Sequence, residues 1–354
     1  MIVSSNTKSK PTTPKKDPKT EVDTVKNWLT DKQEEEFLQL KPKNVAEYIG
    51  QAKLKKQLKL IIDSAIIRGK LPEHILFYGQ PGLGKTTLAS LISKELNANF
   101  KVISAPSLSK IGDLVSLLMN IEDNTVLFID EIHRLKAPLE ETLYTAMESR
   151  QVDLVMGKAT TSKSMRVDLP SFTLVGATTM LGKLSKPLKD RFNTVFYLEA
   201  YEPSEILEII DKNSQILNLK LSDSAKMILC RRCRGIPRIT NNLLKRLRDY
   251  QLVHKYPELD QILVEEILQD LGILTNGLTS TDLTYLQSLQ RGATGIKTIS
   301  SILMEEADTI ETVTEPYLLH LGLVDKASDG RKLTPKGLEF LKKHKLLDKN
   351  QLIE

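Results

Sequence analysis

The chain has 354 residues, enough for two or three domains, and a formal net charge of +5. Its 40% hydrophobic and 27% charged residues are typical of a soluble globular protein, and no apolar run approaches the roughly 18 residues that a transmembrane helix needs. Only two cysteines occur, which excludes a disulfide scaffold. The polar N-terminus lacks the apolar core of a secretory signal, so we expect a cytoplasmic protein with no membrane partner.

The first residues form a basic, proline-containing segment. Residues 1–20 carry five lysines against one acidic residue, Asp17, and include three prolines. Such a segment buries too little apolar surface to offset the entropy of ordering it. We therefore predict a disordered tail over residues 1–25, and favour a solvated leader over a segment that contacts DNA.

A strand, a glycine-rich loop and a helix follow one another early in the globular part. Apolar residues at helical spacing, from Leu54 onward, predict a helix that ends near Arg68. The short apolar run 75–78 is typical of a buried parallel strand, and residues 88–96 have the pattern of an amphipathic helix. This order begins a βαβ unit, so we predict an α/β fold with a parallel sheet.

The loop between this strand and helix matches a phosphate-binding motif. Residues 79–86, GQPGLGKT, fit G-x-x-x-x-G-K-[ST]. Glycines allow backbone N–H groups to point at phosphate oxygens, Lys85 adds a positive charge, and the Thr86 hydroxyl can coordinate Mg²⁺. The sequence therefore predicts an ATP and Mg²⁺ site, in preference to a glycine turn with a solvated lysine.

Two further apolar strands end in polar residues that suit nucleotide hydrolysis. The run 126–129 leads to Asp130, expected in the magnesium shell, and Glu131, expected to polarise the attacking water. His133 and Arg134 follow as surface or polar-sensor residues, not metal ligands. The run 172–177 leads to Thr178, which either senses the γ-phosphate, positions water or simply caps the strand.

Three features remain open from the residues alone. Arg191, just before an apolar strand, is a surface charge or an arginine finger that acts on a neighbouring subunit. Alternating residues over 152–169 predict a long hairpin, with two additional core strands as the alternative. Cys230 and Cys233 have C-x-x-C spacing, but without a second pair or a βαβ context we interpret both as structural.

The chain after residue 201 divides into a helical segment, 202–274, and a predicted winged helix, 278–347. The winged helix is indicated by three helical patterns and a short hairpin over 323–333. Residues 323–346 carry seven basic and three acidic residues, and almost no aromatic residues for base stacking. This composition favours contact with the DNA backbone, although a winged helix can also bind proteins.

Taken together, six stretches resemble the RuvB family of AAA+ ATPases, the motors that drive branch migration of Holliday junctions in bacteria. They are PGLGKTTLA at 81–89, VLFIDEIHRL at 126–135, FTLVGATT at 172–179, DRF at 190–192, RGIPRI at 234–239 and EPYLLHLGLV at 315–324. The resemblance implies an AAA+ large domain over 26–200, a helical lid over 201–275 and a DNA-binding winged helix over 276–347.

The resemblance also implies roles for individual residues. It implies nucleotide contacts at Leu40, Lys41, Gly82, Leu83, Gly84, Lys85, Thr86, Thr87, Glu148, Ser149, Arg150, Tyr201 and Arg238. Thr178 matches the first sensor, and Arg191 the finger that reaches a neighbouring subunit. Lys326 and Arg331 match DNA-contacting wing positions. The chain departs from the family pattern at Lys41, Gln80 and Met180, where arginine, proline and arginine are usual.

The expected function is that of an ATP-hydrolysing hexameric ring which translocates duplex DNA in recombination, DNA repair and the SOS response. The implied partners are the junction-binding protein RuvA, docked through Met165 and Val167 of the hairpin as exposed apolar contacts, and the resolvase RuvC where present. One alternative is a clamp-loader-like switch, although that class usually carries Ser-Arg-Cys at the finger. Another is a nucleotide-gated DNA-binding regulator, against which Glu131 argues.

Overall fold

The computed structural model describes residues 39–156 and 163–344. The predicted basic tail, the polar tip of the hairpin and residues 345–347 of the predicted winged helix lie outside these ranges. Among the described residues, the chain from Pro42 onward forms one compact unit, and residues 39–41 belong to another. Within the described ranges, no helix is both long and apolar enough to cross a bilayer.

The large domain contains a parallel sheet and an antiparallel hairpin. Its strands are β1 Ile75–Tyr78, β2 Asn99–Ser104, β3 Thr125–Asp130, β4 Gln151–Met156, β5 Lys163–Asp168, β6 Phe172–Thr178 and β7 Thr194–Tyr197. Five of them form one sheet in the order β2-β3-β6-β1-β7, with every neighbouring pair parallel, and β4 pairs with β5. This confirms the predicted α/β fold.

The parallel sheet brings the functional strand ends to one edge. Strand β6 is buried along its whole length, which explains its continuous apolar run. Tyr78, the last residue of β1, pairs with Thr178 of β6, and Ser104 of β2 pairs with Asp130 of β3. Because these strands end together, Gly79, Asp130 and Thr178 emerge at the same carboxyl edge of the sheet.

Five helices accompany this sheet. They are α1 Ala52–Arg68, α2 Lys85–Glu95, α3 Ile111–Met119, α4 Ala137–Ser149 and α5 Lys186–Asp190. The predicted end of α1 is confirmed, whereas α2 begins at Lys85, inside the glycine loop rather than at Leu88. Leucines of α3 and α4, among them Leu114 and Leu143, are fully buried against the sheet in the core of the domain.

The predicted hairpin is present, but only one of its two expected contact residues is exposed. Val152 and Val167 face each other across the β4–β5 pair. Met165 is 49% exposed, as expected of a docking residue. Val167 instead packs against the large-domain core, where Val152 and Leu169 are buried. The expectation that Val167 is exposed is wrong, because the base of the hairpin lies on the core.

The next segment is helical, as predicted. It consists of α6 Pro203–Ile216, α7 Asp223–Arg232, α8 Pro237–His254 and α9 Gln261–Asp270. Cys230 and Cys233 are both buried, and burial raises the pKa of both thiols, that of Cys233 to about 12. A thiol with so high a pKa is a poor nucleophile, which agrees with a structural role.

The C-terminal module is a winged helix with its own core, formed by residues such as Leu286, Ile299 and Leu318. Its elements are α10 Ser280–Ser288, α11 Ile296–Leu303, α12 Ala307–Thr309, a π-helical turn Ile310–Thr314, α13 Glu315–His320, β8 Val324–Ala327, β9 Gly330–Leu333 and α14 Pro335–Lys343. The three predicted helices and the wing are confirmed, with a π-helical turn inside the third helix. Helix α14 is additional.

Polar contacts from Arg234 and Lys183 attach the winged helix to the rest of the described molecule. The Arg234 guanidinium donates two hydrogen bonds, of 2.8 and 2.6 Å, to the Gly277 carbonyl, pairs with Asp282 and lies 4.7 Å from the centre of the Tyr317 ring. Lys183 of the large domain pairs with Asp308 at 2.6 Å. The winged helix is thus attached to both the lid and the large domain.

Candidate nucleotide site

Glycines of the phosphate loop allow the lid to approach its backbone. Gly82 and Gly84 have φ values of +83° and +103°, in the left-handed region that favours glycine. A Cβ atom at Gly82 would lie 2.8 Å from Ile236 Cγ2 and 3.0 Å from Arg238 Cβ. The loop therefore needs glycine at position 82 for its conformation and for contact with the lid.

Lys85 is buried at the centre of this loop. Its ammonium group donates hydrogen bonds to the carbonyl oxygens of Gly79 (2.7 Å) and Gln80 (2.9 Å). Burial lowers its pKa, while the nearby carboxylates of Glu131 and Asp130 act in the opposite direction. Gln80, one of the departures from the family pattern, contributes its backbone carbonyl to this contact.

The two acidic residues at the end of β3 have different electrostatic environments. Burial and the neighbouring Glu131 raise the pKa of Asp130. Burial alone would also raise the pKa of Glu131, but hydrogen bonds from His133 and Thr179 outweigh burial and lower it. The N–H and hydroxyl of Thr179 lie 3.3 and 3.1 Å from Glu131 Oε2. Glu131 is therefore held as a carboxylate at a defined position.

Thr178 and His133 lie next to this carboxylate. The Thr178 hydroxyl oxygen accepts the N–H of Met180 at 2.9 Å and lies 2.9 Å from His133 Nδ1. The same Nδ1 atom is 3.2 Å from Glu131 Oε2, and the imidazole side chain is only 6% exposed. The interpretation of His133 as a surface residue is therefore wrong, because its side chain is buried. Met180, another departure from the family pattern, bonds to Thr178 through its main chain.

A pair of hydrogen-bonded tyrosines contacts the backbone of the phosphate loop. The Tyr201 hydroxyl donates to the Tyr48 hydroxyl at 2.8 Å, and the Tyr48 hydroxyl donates to the Leu83 carbonyl at 3.1 Å. Both tyrosines are buried, and burial raises the pKa of each. The structure thus brings Tyr201 to the predicted loop. Tyr48 was not predicted, and no local pattern around it marks it as a site residue.

Arg238 lies at the start of helix α8, directly after Pro237. Its backbone N–H is 3.4 Å from the Gly82 carbonyl, and its exposed side chain contributes to the electrostatic environment of Lys85 and Asp130. Proline at the first helical position fixes the start of α8 and so the direction of this arginine. The predicted second sensor is therefore beside the phosphate loop.

Arg191 contacts Glu148, another of the residues predicted to bind the nucleotide. Its Nη2 atom lies 2.6 Å from Glu148 Oε2, at the end of helix α4, with Ser149 and Arg150 next along the chain. Arg191 Nε is buried and has no hydrogen-bond partner within the described residues. The nucleotide roles of these four residues stay predictions. The same holds for Leu40 and Lys41, which belong to the other compact unit.

The two predicted DNA contacts have unequal exposure. Lys326 is 47% exposed in its side chain and pairs with Glu315 at 2.7 Å. The Arg331 side chain is 13% exposed and pairs with Glu315 at 2.7 Å and with Glu311 at 2.6 Å. Glu315 is buried and also accepts a hydrogen bond from Tyr285. Both side chains thus pair with the buried Glu315, Lys326 from a half-exposed position and Arg331 from a largely buried one.

Among residues 39–156 and 163–344, no group of three His, Cys, Asp or Glu side chains could hold a metal ion.

A parallel sheet of this order, with a glycine phosphate loop, an acidic strand end and a helical lid, defines a P-loop ATPase of the AAA+ class. Residues 40–198 match the family model of the Holliday junction DNA helicase RuvB P-loop domain, 201–273 the RuvB AAA lid domain and 275–342 the RuvB C-terminal winged helix domain. The chain belongs to the RuvB family.

Similar proteins cover almost the whole chain. It is 44% identical over 308 residues to a Holliday junction branch migration complex subunit RuvB from Fusobacterium nucleatum, across 86% of this chain and 93% of that protein. It is 44% identical over 311 residues to the corresponding subunit of Phytoplasma mali, across 87% and 94%. Thermotoga maritima RuvB, described as a Holliday junction branch migration motor, superposes with a TM-score of 0.79 at 39% identity, across 86% and 98%.

Proposed function

We propose that the chain is an ATP-hydrolysing motor which moves duplex DNA to branch-migrate Holliday junctions. One observation carries the proposal: Lys85, Asp130, Glu131 and Thr178 converge at one sheet edge, and the lid contacts that edge through Arg238. The names of the relatives, branch migration complex subunit and branch migration motor, supply the DNA substrate of the proposal.

In this mechanism each described side chain has one task. The Lys85 ammonium binds and neutralises the terminal phosphates, for which it exchanges its carbonyl partners. The Glu131 carboxylate accepts a proton from the attacking water. The Thr178 hydroxyl donates to the γ-phosphate or to that water. Arg238 on the lid binds phosphate from the opposite side, so nucleotide binding draws the lid onto the loop.

The donor set at the loop also fits Mg²⁺. Thr86 is exposed as the second residue of α2, and Asp130 is a carboxylate at the neighbouring strand end. Hydroxyl and carboxylate oxygens with phosphate are the ligands that Mg²⁺ prefers. When bound, the ion would neutralise charge that develops on the phosphates, with Thr86 and Asp130 holding it.

Arg191 would complete the site of the neighbouring subunit. An arginine finger stabilises the transition-state charge of a nucleotide held by another chain. Glu148, next to Arg191, would orient the guanidinium until it meets that nucleotide. This arrangement requires a neighbouring subunit, and we propose a closed homohexameric ring. Because the finger acts between subunits, hydrolysis would couple to relative motion around the ring.

The winged helix would grip the DNA, and the hairpin would bind the partner. Lys326 contacts the phosphate backbone without base specificity. Met165 offers an exposed apolar contact for RuvA, and RuvC would join the assembly where it is present. We place this activity in the cytoplasm, in recombination, DNA repair and the SOS response.

The test is branch migration of a synthetic four-way junction by purified protein with ATP, Mg²⁺ and RuvA. We expect dissociation of the four-way junction into duplex products with the unchanged chain, and none with Glu131→Gln, which should still bind nucleotide. Met165→Asp should lose the stimulation of branch migration by RuvA while retaining DNA-stimulated hydrolysis. ATP turnover without any junction movement would contradict the motor and favour a nucleotide-gated regulator.

A further inference from the structure

We propose that His133 is a positioning residue which orients both Glu131 and Thr178 for hydrolysis. The inference rests on the proposed ATPase function. The imidazole is almost completely buried, and one atom, Nδ1, lies 3.2 Å from Glu131 Oε2 and 2.9 Å from Thr178 Oγ1. A single ring nitrogen thus joins the residues assigned to water activation and to phosphate sensing, although Glu131 follows β3 and Thr178 ends β6.

The neighbouring groups determine which way this hydrogen bond runs. A carboxylate oxygen only accepts hydrogen bonds, so a lone pair on Nδ1 would face Glu131 Oε2 unfavourably. His133 therefore carries its proton on Nδ1 and donates to Glu131 and Thr178. The Thr178 oxygen accepts a second hydrogen bond from the Met180 N–H at 2.9 Å.

This assignment leaves defined functions for the atoms that face the nucleotide. Both lone pairs of the Thr178 hydroxyl are occupied, so its own O–H is free to donate to a phosphate oxygen or to water. Glu131 Oε2 receives donors from His133 and from both polar groups of Thr179. Oε1 is then the carboxylate oxygen left to accept the proton from water. His133 would direct the donor of one residue and the acceptor of the other.

The backbone supports a positioning role. Glu131 has φ +49°, in the left-handed region that non-glycine residues rarely adopt, and His133 follows within a short 3₁₀ turn, Ile132–Arg134. That turn directs the ring back toward β6 and Thr178. Loss of the Nδ1 donor would leave Glu131 Oε2 held by Thr179 alone, so the carboxylate would be less firmly oriented.

The experiment compares steady-state ATP hydrolysis by the full-length chain, with DNA, across four variants. His133→Ala should lower kcat about 100-fold, the scale expected when a reacting group is misplaced by about 1 Å, and change KM for ATP by less than about 2-fold. His133→Asn places an amide N–H near the position of Nδ1 and should restore kcat to within about 5-fold of the unchanged chain. His133→Gln, whose amide lies one carbon farther out, should not.

His74 provides a matched control within the same domain. Its Nδ1 accepts the Leu174 N–H at 2.9 Å and its other nitrogen lies 3.3 Å from the Met147 carbonyl, so it bonds to backbone only. His74→Asn should leave kcat within about 2-fold, whatever it does to stability. If His133→Ala fails to fold, the comparison of His133→Asn with His133→Gln carries the test.

Three outcomes would overturn the inference: an unchanged kcat in His133→Ala, equal losses in His133→Asn and His133→Gln, or an equal loss in His74→Asn. A rise in KM with kcat unchanged would also overturn it, because that would place His133 in nucleotide binding. If the unchanged chain itself hydrolyses no ATP, the proposed function fails, and this result is distinguishable from failure of the positioning role.

Discussion

The ion network beneath the wing predicts that Arg331 and Lys326 have different roles, although both match DNA-contacting positions. Arg331→Ala would remove the partner of Glu315, whose side chain is 1% exposed, and of Glu311. Breaking a buried ion pair costs about 3–5 kcal/mol. Glu315 would keep hydrogen bonds from Lys326 and Tyr285, so we expect the lower value, about 3 kcal/mol.

Hydrogen exchange followed by mass spectrometry localises this loss to the winged helix. A reduction of about 3 kcal/mol in opening free energy corresponds to roughly 150-fold faster exchange in peptides from 280–343, and peptides from the lid should be unchanged. Lys326→Ala removes a half-exposed partner, worth below about 1 kcal/mol, so exchange should rise less than about 5-fold.

The same two variants separate stability from DNA binding. Lys326→Ala should reduce the slope of log affinity against log salt for duplex DNA by about one, with little change in exchange. The reasoning is refuted if Arg331→Ala exchanges like the unchanged chain while its salt slope falls. That result would make Arg331 a free phosphate contact and the buried network unimportant.

Three further predictions concern the loop, the finger and the acidic network. Gly82→Ala should weaken ATP binding in an equilibrium titration, because the new Cβ meets the lid at 2.8 Å in a left-handed conformation; unchanged affinity would contradict the close approach. Arg191→Ala should keep ATP affinity but lose about 1,000-fold in turnover, and normal turnover would refute the finger. Burial alone would raise the pKa of Glu315, but hydrogen bonds from Arg331, Lys326 and Tyr285 outweigh burial and lower it. The folding stability that Glu315 contributes is therefore present above about pH 4.5 and is lost as the pH falls further. Thermal melts of the winged helix should therefore decline below that pH, and a melt that improves on acidification would contradict the sign.

The phosphate loop and the strands around it could be predicted because their signals are local. The residue type at each functional position of 79–86 follows from the chemistry of phosphate binding within that one loop. Strands β1, β3 and β6 are buried on both faces, and so their sequences are continuous apolar runs. The winged helix was predictable for a similar reason, because its helices and its hairpin with an Asp-Gly turn follow one another along the chain and each has its own local pattern.

Contacts between distant residues could not be predicted from these patterns. Strand β2 lies at an edge of the sheet and is half-exposed, so its alternation is weak. His133 meets Thr178 across 45 residues, and Tyr48 meets Tyr201 across 153. Lys326 and Arg331 count as positive charges in the sequence, but Glu315, which neutralises them, is identified only by the fold.

The most direct test of the account is phosphate release from ATP by the purified chain, with Mg²⁺ and duplex DNA, compared with Glu131→Gln. The account predicts that the unchanged chain turns over ATP, and that the variant binds ATP with similar affinity but hydrolyses it at least 100-fold more slowly. Equal turnover by the two proteins, or none by the unchanged chain under any of these conditions, would contradict the assignment of this sheet edge as an ATPase site.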